Sequence, residues 1–240
     1  MATSLNSVSE LLPLKVMNLG VTPYLEVWEL QKSLQKELIE GTGVDTLIIC
    51  QHPATITLGS SASETNILAN KDRLSELKVS VFQIERGGDV TYHGPGQLIL
   101  YPIIDLKKHK KDVAWYLRIL EQSIIDTLSE YGLNTERISG KTGVWTKLSE
   151  TGNNTSPGDT KTPNSQQAKI ASIGVRISRW CTMHGLSLNI DDCSLGFSLI
   201  NPCGYKNIKV TSCKQEGMKV DILTVSTVLT EKFKKLFGFC

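Results

Sequence analysis

A chain of 240 residues with 40% apolar content can bury a substantial core, in one large domain or two small ones, and one domain over 1–240 is the simpler expectation. Its 26 Lys plus Arg against 24 Asp plus Glu leave a formal charge of +2, which excludes the global field that nucleic acid or an anionic membrane would call for. The six cysteines and four histidines include no C-x-x-C pair, so zinc-ligand spacing is absent and neither a metal nor another cofactor is expected. No apolar run approaches the ~20 residues that span a bilayer. The N-terminal stretch lacks arginine and contains Glu10, unlike an Arg-rich, acid-poor transit segment. These features predict a soluble protein with free thiols in a bacterial-type cytoplasm, with plastid or mitochondrion as the alternative.

In chain order, Thr22-Pro23 reads as a helix start, and Val27, Leu30, Leu34 and Leu38 recur at three- and four-residue spacing until Gly41. T-L-I-I-C (Thr46 to Cys50) has the composition of a buried strand, and Gln51-His52-Pro53 interrupts it before T-I-T-L-G resumes. From Val81 to Leu106 the pattern is strand, polar Gly-rich loop, strand. Asp112 caps a second helix whose apolar positions Val113, Leu117, Leu120, Ile124 and Leu128 share a face, leaving Arg118, Glu121 and Asp126 for the outer one.

Residues 148–168 are built from Ser, Thr, Asn, Gly, Pro, Gln and Lys, too polar to offset their ordering entropy, and are expected to be a mobile insertion. K-I-A-S-I-G-V-R-I and G-L-S-L-N-I then alternate as half-buried strands do, and a last helix is expected over about 225–237. Helices interspersed with strands on short loops predict an α/β (α+β) fold, a mixed sheet packed with helices.

Several constellations carry possible chemistry. R-G-G-D-V-T-Y-H-G-P-G-Q holds four glycines that let backbone approach a ligand closely, but its spacing matches neither a dinucleotide fingerprint nor a P-loop, and a long hairpin loop fits equally well. Cys203 sits between Pro202 and Gly204, a sharp turn able to present a thiol, whereas most cysteines are inert and buried. A nearby ammonium would stabilise its thiolate. Lys169, followed by small residues, suits that role, although a solvated strand end is the plainer reading. His93 and His184 are alternative bases. Lys107, Lys108, Lys110 and Lys111 cluster around His109, either as a solvated loop or as a dock for an acidic carrier protein.

R-G-G-D-V-T-Y-H-G-P-G-Q-L followed by Y-P-I-I-D-L, then T-G-V-W (Thr142 to Trp145), K-I-A-S-I-G-V-R, H-G-L-S-L-N and N-P-C-G, in this order, resemble the octanoyltransferase family of lipoate biosynthesis. The match runs from about Leu14 to the last helix. The resemblance implies a fold similar to the catalytic domain of biotin and lipoate protein ligases. It implies an acyltransferase that moves octanoyl from acyl carrier protein to a lysine of lipoyl domains, those of 2-oxoacid dehydrogenase acyltransferase subunits and of the glycine-cleavage carrier protein.

The family's nucleophile falls on Cys203 and its pKa-lowering lysine on Lys169. Its acyl-contacting segments fall on Arg86, Gly87, Gly88, Asp89, Val90, Thr91, Tyr92 and His93, on Ser172, Ile173 and Gly174, and on Gly185, Leu186 and Ser187. Val90, Tyr92, Ile173 and Leu186 are the expected wall of an acyl tunnel. Thioester exchange is nearly isoenergetic and amide formation is downhill, so ATP is not required. The polar insertion departs from the family, which joins T-G-V-W to K-I-A by a short turn. A monomer is expected. The competing readings are an ATP-dependent lipoate or biotin ligase and a noncatalytic protein that binds acyl carrier or lipoyl domains.

Overall fold

The computed structural model describes residues 12–146, 167–202 and 208–240. Their elements run β1 (Lys15–Val21), α1 (Tyr24–Glu40), β2 (Thr46–Gln51), β3 (Thr55–Leu58), α2 (Lys71–Glu76), β4 (Ser80–Gln83), β5 (Val90–His93), β6 (Gln97–Ile103), α3 (Val113–Glu130), β7 (Thr135–Ile138), β8 (Lys141–Thr146), β9 (Lys169–Ser178), β10 (Cys181–Asn189), α4 (Ser194–Phe197) and α5 (Ile222–Phe237). A seven-stranded sheet has the order β1-β2-β6-β10-β9-β8-β7, and a small sheet the order β4-β3-β5. Each contains one parallel pair, β1 with β2 and β3 with β4, so the fold is mixed α/β.

Burial explains the layers. One face of the large sheet presents Leu98, Leu100, Leu186 and Leu188 to Tyr116, Leu120 and Ile124 of α3 and to Leu229 and Phe233 of α5. The other presents Ile48, Ile99 and Met183 to Val27 and Leu38 of α1. β10 is therefore buried on both faces along its whole length, where the alternating sequence had suggested a half-buried strand.

Helix α1 ends at Gly41 as expected, with φ of 80°, a conformation glycine adopts without Cβ strain. Its innermost face differs from the expected stripe. Gln31 and Gln35 are buried while Leu30 and Leu34 are only partly so. The reason lies in β10: Gln31 Oε1 accepts from the His184 backbone N–H at 2.8 Å, and Gln35 Nε2 donates to the Cys181 carbonyl at 2.9 Å. Backbone groups of a buried strand must all be paired, and two glutamines pair these.

The Gln51-His52-Pro53 interruption carries the chain from the large sheet into the small one. The glycine-rich stretch is not all loop, because Val90–His93 pairs antiparallel with β3 and only residues 94–96 form the turn into β6. Glu121, expected on the outer face of α3, is fully buried. His109, expected within a solvated basic loop, has its side chain packed 5.1 and 5.0 Å from the Phe237 and Phe239 rings. The four lysines around it are exposed. Most of the polar insertion lies outside the described residues, but its last position does not behave as expected. Ala168 is buried, and its carbonyl accepts from Thr146 N at 2.9 Å, so it belongs to the β8–β9 ladder.

Candidate active site

The two sheets meet at one corner. There Gly87 N–H donates to the Val175 carbonyl at 2.9 Å, and the Arg86 guanidinium donates to the Thr57 carbonyl at 2.7 Å and to the Gly87 carbonyl at 3.1 Å. Close glycines make this possible. A Cβ at Gly59 would stand 2.2 Å from Gly88 O, and one at Gly174 would stand 3.0 Å from Arg86 Cδ. Arg86 is buried, and these bonds hold the corner.

A cavity of about 530 Å³ opens beside this corner, in the range that takes small ligands. Arg86, Gly87, Gly88, Asp89, Val90, Thr91 and His93 line it, as do Ser172, Ile173, Gly174, Gly185, Leu186, Ser187 and Lys169. Tyr92 is the exception among the expected ligand-facing residues. Its ring packs 5.9 Å from Phe197 in the core of the small sheet, where Gly94 and Gly196 leave room for it. It sits on the opposite face of β5 from the two sites its sequence neighbours occupy, as strand alternation requires.

The cavity also takes in residues that sequence reasoning assigned no place in the site: Tyr24, Tyr101, Val113, Leu117, Trp145 and Val175. Trp145 belongs to the noted T-G-V-W motif. Tyr101 and Tyr24 give no sequence signal beyond an aromatic ring in an apolar stretch.

Lys169 opens β9 and is almost fully buried. Its backbone is fixed from both sides, pairing with Trp145 of β8, donating to the Lys209 carbonyl at 2.8 Å and accepting from Thr211 N at 2.9 Å. Its Nζ stands 5.4 Å from the Trp145 ring centroid, within cation–π range. The side chain crosses Gly143, where a Cβ would come within 2.7 Å of Lys169 Cε. The plainer expectation of a solvated strand end does not describe this lysine.

The opposite end of the cavity is aromatic and polar. His52 Nδ1 lies 2.7 Å from the Thr22 carbonyl, which can only accept, so Nδ1 carries the proton and Nε2 accepts from the Tyr101 hydroxyl at 3.0 Å. Gln97 Nε2 donates to Asn189 Oδ1 at 2.9 Å, which leaves Gln97 Oε1 to accept from His93 Nδ1 at 2.8 Å. Burial pushes the imidazoles down, His52 to about 4 and His93 and His184 to about 3, with the Arg86 charge adding to the effect at His93 and His184. Groups held this low are poor proton acceptors at neutral pH, so neither His93 nor His184 suits the role of thiol base.

His184 has a left-handed φ of 60°, and the next residue is squeezed. A Cβ at Gly185 would lie 2.2 Å from Leu100 O and 2.8 Å from Pro102 Cδ. Pro102 has no N–H to give β10, and the glycine at 185 leaves room for its ring.

Cys203 lies outside the described residues, as do 204–207. Of the described residues that flank them, Ile208 lines the cavity, whereas Asn201 and Pro202 line a second pocket that Ile208 shares. Asn201 N–H donates to the Asn66 carbonyl at 2.8 Å, Asn66 Nδ2 donates to Asp89 Oδ2 at 2.8 Å, and Asp89 and Ile208 line the cavity. Burial pushes Cys193 and Cys213 up to about 12 and raises Cys50 and Cys181 as well. These thiols are inert as nucleophiles. Among the described residues, no group of three His, Cys, Asp or Glu is arranged to hold a metal, and no helix is long and apolar enough to cross a membrane.

Residues 23–234 match the family described as the lipoyl protein ligase A/B catalytic domain. An octanoyltransferase of Christiangramia forsetii is 41% identical over 237 residues, covering 93% of this chain and 95% of that protein. The chain belongs to the octanoyltransferase family. A second octanoyltransferase, from Chloroflexus aurantiacus, is 43% identical over 227 residues and covers 94% of each chain. Among solved structures, the bi-partite lipoate protein ligase of Thermoplasma acidophilum superposes with a TM-score of 0.68 at 14% identity, covering 95% of this chain and 85% of that one. The chain thus shares the fold of a lipoate ligase, and it is an acyltransferase of lipoate biosynthesis.

Proposed function

We propose that the enzyme takes octanoyl from the thioester of acyl carrier protein onto Cys203 and then delivers it to a lysine of a lipoyl domain, with Lys169 as proton acceptor and donor. In the first half, the Cys203 thiolate attacks the thioester carbonyl, the carrier's sulfur leaves, and the proton held at Lys169 goes to it. In the second half, the incoming lysine amine attacks the acyl-enzyme, Cys203 sulfur leaves as thiolate, and Lys169 takes the amine's proton. The bonds formed and broken balance without ATP.

The observation that carries this reading is the buried Lys169 side chain on the wall of a cavity that Ile208, five residues after Cys203 in sequence, also lines. A positive charge in a low-dielectric wall favours the thiolate over the thiol. Val90, Ile173, Val175, Leu186 and Leu117 supply apolar wall for an eight-carbon chain, and Ser172 to Gly174 and Gly185 to Ser187 supply backbone close to its carbonyl end. We also read 1–240 as one catalytic domain.

The acceptors in this reading are the lipoyl domains of 2-oxoacid dehydrogenase acyltransferase subunits and of the glycine-cleavage carrier protein. Incubation with octanoyl-acyl carrier protein and an apo lipoyl domain, without ATP, should octanoylate the domain. The Cys203→Ser variant should lose about a thousandfold or more of that rate. Transfer that requires ATP and free octanoate would replace this reading with a ligase, and full activity in Cys203→Ser would remove the covalent step.

A further inference from the structure

The buried Glu121 has no part in that mechanism, yet its contacts lead to Lys169. We propose that Glu121 is a positioning residue that sets the placement of Lys169 through the backbone of Gly143; this rests on the reading of Lys169 as the proton-handling group.

The Gly143 N–H does not serve the sheet. It donates to Glu121 Oε1 at 3.1 Å, at the place where the β8–β9 register slips between Val144 and Trp145. Gly143 has φ of 124°, and a Cβ there would meet Ala171 O at 2.6 Å and Lys169 Cε at 2.7 Å. The lysine stem therefore lies directly against the peptide that Glu121 grips.

The carboxylate itself is pinned. Its Oε2 accepts from Arg137 Nε at 2.9 Å and from Arg118, and Arg137 is braced by Gln122 Oε1 at 2.7 Å and the Arg118 carbonyl at 3.0 Å. A fully buried carboxylate needs such partners. Two of the partners serve its charge, while the third, a neutral backbone amide, fixes the bulge. The full reach of a glutamate side chain from α3 to β8 is what the clamp uses.

Two variants separate clamp from charge. Glu121→Asp keeps the charge near Arg137 but is one methylene short of Gly143. Arg118→Gln takes one guanidinium charge off Glu121 Oε2 and leaves Arg137 and the Gly143 bond in place. Alkylation of Cys203 by iodoacetamide, followed by peptide mass across pH, reads the thiolate fraction. The reference is Lys169→Ala, in which the midpoint should rise by about one pH unit or more. Glu121→Asp should raise it by about half a unit or more and Arg118→Gln should stay near wild type, whatever each does to melting temperature. If Lys169→Ala moves the midpoint and Glu121→Asp does not, or if Arg118→Gln moves it as far as Glu121→Asp, the clamp is overturned while the Lys169 reading stands. If Lys169→Ala leaves the midpoint unmoved, both fall together.

Discussion

At the scale of single residues, the site depends on side chains that are missing as much as on those present. Gly143, Gly174 and Gly185 each let another group pass where a Cβ would clash with it: the stem of Lys169, the stem of Arg86 and the carbonyl of Leu100. Gly143→Ala adds strain from its positive φ to a contact of 2.7 Å with Lys169 Cε. The variant should lose about 1–3 kcal/mol of stability, and its folded fraction should turn over about tenfold or more slowly. Urea titration paired with single-turnover transfer checks this, and wild-type turnover in a merely destabilised protein would deny Gly143 its role. The motif T-G-V-W was readable in the sequence, but the need for that glycine was not. A glycine's neighbour across the sheet is set by register, and register is a long-range property.

At the scale of elements, α3 presents three different faces. Leu120 and Ile124 enter the core, Leu117 and Val113 reach the cavity, and Glu121 grips β8. Leu120→Ala should cost about 2–5 kcal/mol. Leu117→Ala, at a half-buried position, should cost under about 1.5 kcal/mol but raise KM for the acyl donor. Equal stability losses, or an unchanged KM in Leu117→Ala, would contradict this division.

Periodicity made α3 and its Asp112 cap legible, and likewise the Gly41 end of α1, because those signals are local. It put Glu121 outside and gave no signal for Gln31 and Gln35 for the same reason: their partners, Gly143, His184 and Cys181, are far away in sequence. The hairpin between β9 and β10 gave no glycine or asparagine signal, since Arg179 and Trp180 take positive φ values of 48° and 66° themselves. Lys169, by contrast, was singled out by a family motif, while its burial came only with the sheet.

At the scale of the whole molecule, three neutral imidazoles are sealed at the junction of the two sheets. His52, His93 and His184 have folded values of about 4, 3 and 3 against 6.5 for the free side chain. The unfolded chain therefore takes up protons below about pH 6.5 that the folded chain refuses until about pH 4. This contribution is fully present above that window and is lost as pH falls through it, at up to about 1.4 kcal/mol per pH unit for each histidine. Asp112, Asp192 and Asp221 are depressed by hydrogen bonds from their own helix starts or turns, so their stabilisation is lost only below the ordinary carboxylate value of 3.8. Stability from urea unfolding should drop by several kcal/mol between pH 7 and 5. A flat profile over that range would mean the imidazoles are not sealed from solvent.

The proposed reaction passes octanoyl through a thioester on Cys203, with Lys169 handling the proton. Its most direct test is the intact mass of the enzyme after brief exposure to octanoyl-acyl carrier protein, without ATP or acceptor, followed by peptide mapping. The expected result is one octanoyl group, carried on the peptide that contains Cys203, released by neutral hydroxylamine and absent from Cys203→Ser. An enzyme that stays unmodified under these conditions yet still octanoylates a lipoyl domain, or one that carries the group on another residue, would contradict it.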